Sequence, residues 1–221
     1  MPLMGPGPWG AIRWFTMLSG AMLALSAAQA SSTVDRVLES LAATQTLAAE
    51  FMQTTASPSA RVRQASGAFA IAKPGLLRWE VKKPYPQLQI LNGKEFWMFD
   101  PDLAQASVRP IEAANLTGIA ALLLNTNTLS REQLMARYEF TDEGRRDGVV
   151  WVRVVPKTPE PGIARLVVGV DDDAMLQRFE IHDHLGQVTR VTLTRILKNT
   201  ALDPKLFQFT PPAGVSVLRS P

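Results

Sequence analysis

The stretch KPGLLRWEVKKPYPQLQILNGKEFWMFD, Lys73 to Asp100, decides the fold class. After a Pro74-Gly75 turn, Leu77, Trp79 and Val81 alternate with Arg78, Glu80 and Lys82, the period-two pattern of a half-buried strand. Asn92-Gly93 then supplies a strong short-range hairpin signal. A two-residue loop there pairs Leu91 with Lys94, Ile90 with Glu95 and Leu88 with Trp97. One face collects Leu88, Ile90, Trp97 and Phe99, and the other Gln87, Gln89, Leu91, Lys94, Phe96 and Met98. Apolar weight on both faces means that something covers each.

The same alternation extends in both directions. Upstream, Ser32 or Thr33 caps a helix whose apolar stripe is Val34, Val37, Leu38 and Leu41, ending near Thr44. A strand starts at Leu47, with Ala49 and Phe51 on its apolar side, and TTASPSARVRQ reads as a polar loop. Phe69 and Ile71 mark the next strand. Downstream, NLTGIAALLLN (Asn115 to Asn125) is a short, almost wholly apolar helix, and SREQLMARY opens with a capping box at Ser130 and Gln133. Strands resume at Tyr138, VVWVRVVP, IARLVVGV, LQRFEIHD and VTRVTLTRIL, and DPKLFQFTPPAGV ends the pattern as a turn and a short strand. About ten strands joined as meanders point to one antiparallel sheet that curls into a barrel or half-barrel.

Composition narrows the function. Residues 1–30 carry one charge, Arg13, then an apolar run from Trp14 to Ala28 and an Ala-Gln-Ala site. They read as a secretory signal peptide, leaving residues 31–221 as a single domain. There is no cysteine, so no disulfide, thiolate nucleophile or lipidated cysteine. The net charge of +3, or +2 once Arg13 leaves, is too small to point to nucleic acid.

Catalytic signatures are missing: no G-x-S-x-G, no phosphate-binding loop, no dinucleotide fingerprint. His182 and His184, either side of Asp183, read as a polar hairpin end without a carboxylate partner, and Asp171 to Asp173 as a turn. The chain is therefore read as a non-enzyme without metal or cofactor. Trp79, Phe96, Trp97, Phe99 and Trp151 suit an ordinary core, but the helix bearing Leu116, Ile119, Leu122, Leu123 and Leu124 is apolar nearly all round. Such a helix is sandwiched in a core or lies as a lid over an apolar cavity.

The block from Gly67 to Gln105 resembles the periplasmic outer-membrane lipoprotein carrier family, LolA. The resemblance rests on Gly67, Lys73-Pro74, Trp79, Asn92-Gly93, Trp97 to Pro101 and Gln105, in that order and spacing, and on the closing FTPPAGV, Phe209 to Val215, which is similar to the family's last strand. It implies an unclosed antiparallel β half-barrel, mainly β with some α, with an amino-terminal helix and a short helical lid over a hydrophobic cavity. It implies a monomeric periplasmic carrier that accepts lipoproteins from an inner-membrane ABC lipoprotein-releasing complex, shields their acyl chains and passes them to an outer-membrane receptor. That receptor shares the fold but is anchored through a cysteine, so a chain without cysteine matches the carrier.

The resemblance also implies roles for residues. The acyl-chain cavity is expected to be lined by Leu77, Trp79, Leu88, Ile90, Trp97, Phe99 and Trp151, beneath lid residues Leu116, Ile119, Leu122 and Leu123. Leu77 matches a column that is often Phe and touches acyl chains. A basic gate holds the lid by its backbone in the family. Its column falls on Lys73, where relatives often carry Arg, whose planar fork lysine lacks. Arg78 is the alternative gate, although alternation sets it opposite Leu77 and Trp79. The competing reading is a periplasmic half-barrel module that senses lipid or mislocalised lipoprotein.

Overall fold

The structure is a computed structural model that describes residues 32–111, 122–124 and 129–220. Ser32 accepts a hydrogen bond from the Asp35 amide and starts α1 (Thr33–Ala43), which buries Val37, Leu38 and Leu41 and ends at Thr44. Twelve strands follow among the described residues: β1 (Thr46–Ser57), β2 (Ala60–Ala72), β3 (Leu76–Lys83), β4 (Gln87–Asn92), β5 (Glu95–Asp100), β6 (Gln105–Pro110), β7 (Tyr138–Arg146), β8 (Val149–Pro156), β9 (Arg165–Val170), β10 (Leu176–His182), β11 (Val188–Lys198) and β12 (Ser216–Arg219). Before β7 comes α2 (Arg131–Arg137), closed by the full Ser130–Gln133 capping box. A short 3-10 turn, Pro204–Phe207, follows β11.

All twelve belong to one sheet in the order β12-β6-β5-β4-β3-β2-β1-β11-β10-β9-β8-β7. Two meanders, β1 to β6 and β7 to β11, are joined where β1 pairs with β11. The end strands β12 and β7 do not pair with each other, so the barrel is unclosed. One face, here called inner, carries the main core. Phe51, Phe69, Leu77, Leu91, Phe96, Val152, Val168, Phe179 and Val191 join Val37, Leu38 and Leu41 of α1 and Leu134 of α2 in a single buried cluster. Strands far apart in the sheet order share one cluster only if the sheet curls.

Several expectations are corrected. TTASPSARVRQ is not a loop: β1 and β2 pair through it down to Ser57 and Ala60, and only Pro58 and Ser59 turn. Its side chains are polar because the hairpin outruns the core, while its backbone stays paired. The β4–β5 hairpin pairs Leu91 with Phe96, Ile90 with Trp97 and Leu88 with Phe99, so its loop is Gly93-Lys94 rather than Asn92-Gly93. The Asn92 side chain accepts from the amides of Lys94 and Glu95 and shifts the turn by one residue. This changes each cross-strand partner by two and preserves the face each side chain occupies. Phe209 to Val215 is not a strand. The last strand is Ser216–Arg219, and it lies parallel to β6.

Candidate functional site

The inner face opens into a cavity of about 280 Å³. β1 contributes Gln53, β2 Phe69 and Ile71, β3 Leu77 and Trp79, β4 Gln89, β10 Phe179 and Ile181, and β11 Thr189 and Val191, with Leu123 against them. Period-two alternation delivers this set. β3 pairs with β2 so that Leu77 meets Ile71 and Trp79 meets Phe69, and β11 pairs with β1 so that Val191 meets Gln53. Trp79 is the centre of an aromatic group, stacked on Phe51 at 4.1 Å between ring centres and flanked by Phe69 at 5.6 Å and Phe179 at 6.5 Å. Gly67 allows the stack, because a Cβ there would lie 1.8 Å from the Glu80 carbonyl oxygen and 3.0 Å from the Phe51 ring.

None of the eleven described residues that line the cavity is charged. Such a lining holds apolar matter and neutral hydrogen-bonding groups, and it cannot compensate a desolvated ion. Among the described residues no group of three or more His, Cys, Asp or Glu gathers to hold a metal. No described helix is long and apolar enough to cross a membrane.

The expected site residues divide by face. Leu77, Trp79 and Leu123 line the cavity together. Leu122 is buried in the same core, while Leu116 and Ile119 lie outside the described residues. Leu88, Ile90, Trp97 and Phe99 share the outer face, where Phe209, Val215 and Val217 cover them. The cause is register: Arg78 pairs with Ile90 and Glu80 with Leu88, so the neighbours of Leu77 and Trp79 on their own face are Leu91 and Gln89. Trp151 also faces outward, packed with Val149 and Val167 under the Arg146 guanidinium. The expectation that these five line the cavity with Trp79 is corrected.

The two candidate gates separate in the same way. Arg78 is on the outer face, where it binds the Glu80 carboxylate at 2.9 Å and donates to the Leu206 carbonyl at 3.3 Å, fastening the 3-10 turn to β3. Lys73 follows the last residue of β2, and its Nζ donates to the Leu41 carbonyl at 2.7 Å, in the last turn of α1. A cation there complements the helix dipole. Burial, with the nearby Lys198 ammonium, brings the Lys73 amine down to about 8. At the other end of α1, Asp35 pairs with Arg131 of α2 at 2.7 Å, and hydrogen bonds from Ser32 and then Arg131 hold its carboxyl below the usual range.

The histidine expectation also changes. His182 does have a carboxylate partner, Glu180 at 2.9 Å, and Glu180 binds Arg190 as well. Sequence reasoning did not nominate Phe51, Phe69, Phe179, Ile181, Val191, Gln53, Gln89 or Thr189. The signal lay in parity within each strand, counted from Trp79 across the ladder.

The chain matches the family model "Outer membrane lipoprotein carrier protein LolA" over residues 42–210. It is 37% identical over 189 residues to the outer-membrane lipoprotein carrier protein of Dechloromonas aromatica, covering 85% of this chain and 88% of that one. To the carrier of Bordetella pertussis it is 38% identical over 202 residues, covering 90% and 93%. Among solved structures, an uncharacterised conserved protein of Thermus thermophilus superposes with a TM-score of 0.52 at 16% identity, covering 85% of this chain and 96% of that one, a likeness of fold alone. The family model matched over most of the chain and relatives matched over most of their length, consistent with an open sheet cupping a largely apolar cavity, make this chain a member of the LolA outer-membrane lipoprotein carrier family.

Proposed function

We propose that the protein is a periplasmic carrier that holds the acyl chains of lipoproteins against the inner face of its sheet. It takes them from an inner-membrane ABC releasing complex and gives them to an outer-membrane receptor. Residues 1–30 act as the export signal, and residues 31–221, which cluster as one compact unit, work as a monomeric carrier domain without enzymatic activity. The observation that carries this reading is the cavity around Trp79, aromatic and without a charged residue among its described lining. Each buried methylene is worth about 0.8 kcal/mol, so hiding two or three acyl chains from water amounts to tens of kcal/mol in gross terms.

A cavity of about 280 Å³ sits at the small end of ligand pockets, which run from roughly 300 to 1,000 Å³. Loading with long chains then requires the cover to move. Lys73 is the gate in this reading: it ties α1 to the sheet, and the segment bearing Leu122 and Leu123 is the lid. The test is incubation of the purified mature protein with spheroplasts. Outer-membrane lipoproteins should appear in the supernatant as one-to-one soluble complexes. No release by folded protein, with its cognate transporter present, would overturn the proposal.

A further inference from the structure

Toward the mouth of the cavity the inner face changes chemistry. Along β1, Phe51 gives way to Gln53 and then Thr55, and along β11, Val191 gives way to Thr189. On β4 the residue opposite Trp79 is Gln89, followed toward the mouth by Gln87 opposite Val81. Gln53 lines both the cavity and the adjoining recess that continues outward past Thr55 and Gln87. An amide in an aromatic lining is costly unless it is hydrogen-bonded. Here the bonds within the ring are long: Gln53 Nε2 donates to Thr55 Oγ1 at 3.3 Å, and Gln89 Nε2 to Gln87 Oε1 at 3.5 Å. Both lie at the weak end of the range, so a well-placed acceptor displaces them. Thr55, only 7% exposed, shares a hydrogen bond with Thr189 at 3.2 Å.

We infer that Gln53, Gln89 and Thr189, backed by Thr55 and Gln87, form a collar that hydrogen-bonds the neutral ester and amide linkages joining acyl chains to a glyceryl-cysteine terminus. This rests on the carrier reading and adds selectivity to it. The apolar depth accepts any acyl chain, whereas the collar recognises the uncharged junction. A free fatty acid would bring its carboxylate, and a phospholipid its phosphate, to Gln53, Gln89 and Thr189, which offer no counter-charge. The recess is also lined by two charged residues, Arg63, which lies opposite Thr55 on β2 and donates to Gln187, and Asp100.

The test titrates the full chain and its Gln53→Met/Gln89→Met variant with three probes of equal chain length: a synthetic diacylglyceryl-cysteine peptide, its dialkyl-ether counterpart, and a free fatty acid. Methionine keeps the length and removes the amide. The intact protein should bind the ester peptide about tenfold more tightly than the ether, the worth of one or two net hydrogen bonds, and should bind the fatty acid most weakly. In the variant the ester-to-ether ratio should fall toward one with ether affinity unchanged. Thr189→Val, of the same shape, should lower the ratio part-way and serves if the double variant does not fold. A ratio near one in the intact protein, or one that neither variant changes, overturns the collar while leaving the carrier intact. Failure of both lipopeptides to bind the intact protein overturns the carrier reading itself.

Discussion

Replacing Trp79 by alanine removes the ring on which the inner aromatic group is assembled. The indole is half-buried, stacked on Phe51 at 4.1 Å and in edge or tilted contact with Phe69 and Phe179. A buried Phe or Trp truncated to Ala costs about 3–5 kcal/mol, and the partial exposure of this ring sets the expectation near the lower value, about 3 kcal/mol. Three aromatic contacts worth roughly 0.5–1.5 kcal/mol each agree in scale without being additive. For a chain of this size about 3 kcal/mol lowers Tm by about 6–12 °C. The space vacated adjoins the cavity, so an acyl chain bound there as proposed would fill part of it. Melts followed by far-UV circular dichroism, with and without a saturating diacylglyceryl peptide, should therefore show a large loss in the empty variant and a clearly smaller one in the loaded pair. A loss equal in both conditions would mean that Trp79 supports the fold away from the lipid, and would refute the reasoning.

Three further outcomes follow from the same geometry. Lys73→Met should change the pH dependence of stability: the folded amine releases its proton near 8 and the unfolded one near 10.5, so the intact protein gains stability across that window relative to the variant, and equal urea midpoints for the two at pH 7 and pH 9.5 would contradict it. Tyr138→Phe reports the opposite sign, because burial, then Glu160, pushes the Tyr138 hydroxyl up to about 12; the intact protein should lose stability above pH 10 relative to the variant, seen as diverging urea midpoints. Gly67→Ala should destabilise by about 1–3 kcal/mol, because its methyl would meet the Glu80 carbonyl and the Phe51 ring, and an unchanged urea midpoint would show that β2 and β3 separate freely there.

Local signals in the sequence carried most of the architecture. Ser32 and the Ser130–Gln133 box mark the starts of α1 and α2 because capping is settled by side chains within one turn. Trp79 with Leu77, and Trp97 with Ile90, are correctly grouped within their own strand or hairpin because alternation is strictly local. What was not legible is which face of one hairpin continues which face of the next strand. That depends on the register across the Pro84–Pro86 connection, and two apolar faces leave the pattern ambiguous. The outer apolar face exists because a distant segment covers it: Phe209 lies 5.4 Å from Trp97 and 5.1 Å from Phe99, ring centre to ring centre, and β12 seals the edge of β6. Nothing local to Trp97 announces a partner more than a hundred positions away. The polar hairpin tip beyond Thr55 was hidden for the converse reason, since backbone pairing persists there without apolar side chains.

The claim that acyl chains occupy the inner face is tested most directly by tryptophan quenching. Three variants, each keeping one of Trp79, Trp97 and Trp151 with every other tryptophan replaced by phenylalanine, are loaded with a diacylglyceryl peptide whose chains carry bromine. Bromine quenches only indoles that it touches. Emission from Trp79 should fall strongly, while Trp97 beneath Phe209 and Trp151 beneath Arg146 should keep theirs. Quenching of Trp97 or Trp151 with Trp79 unaffected would place the lipid on the outer face and contradict the inner cavity as its site.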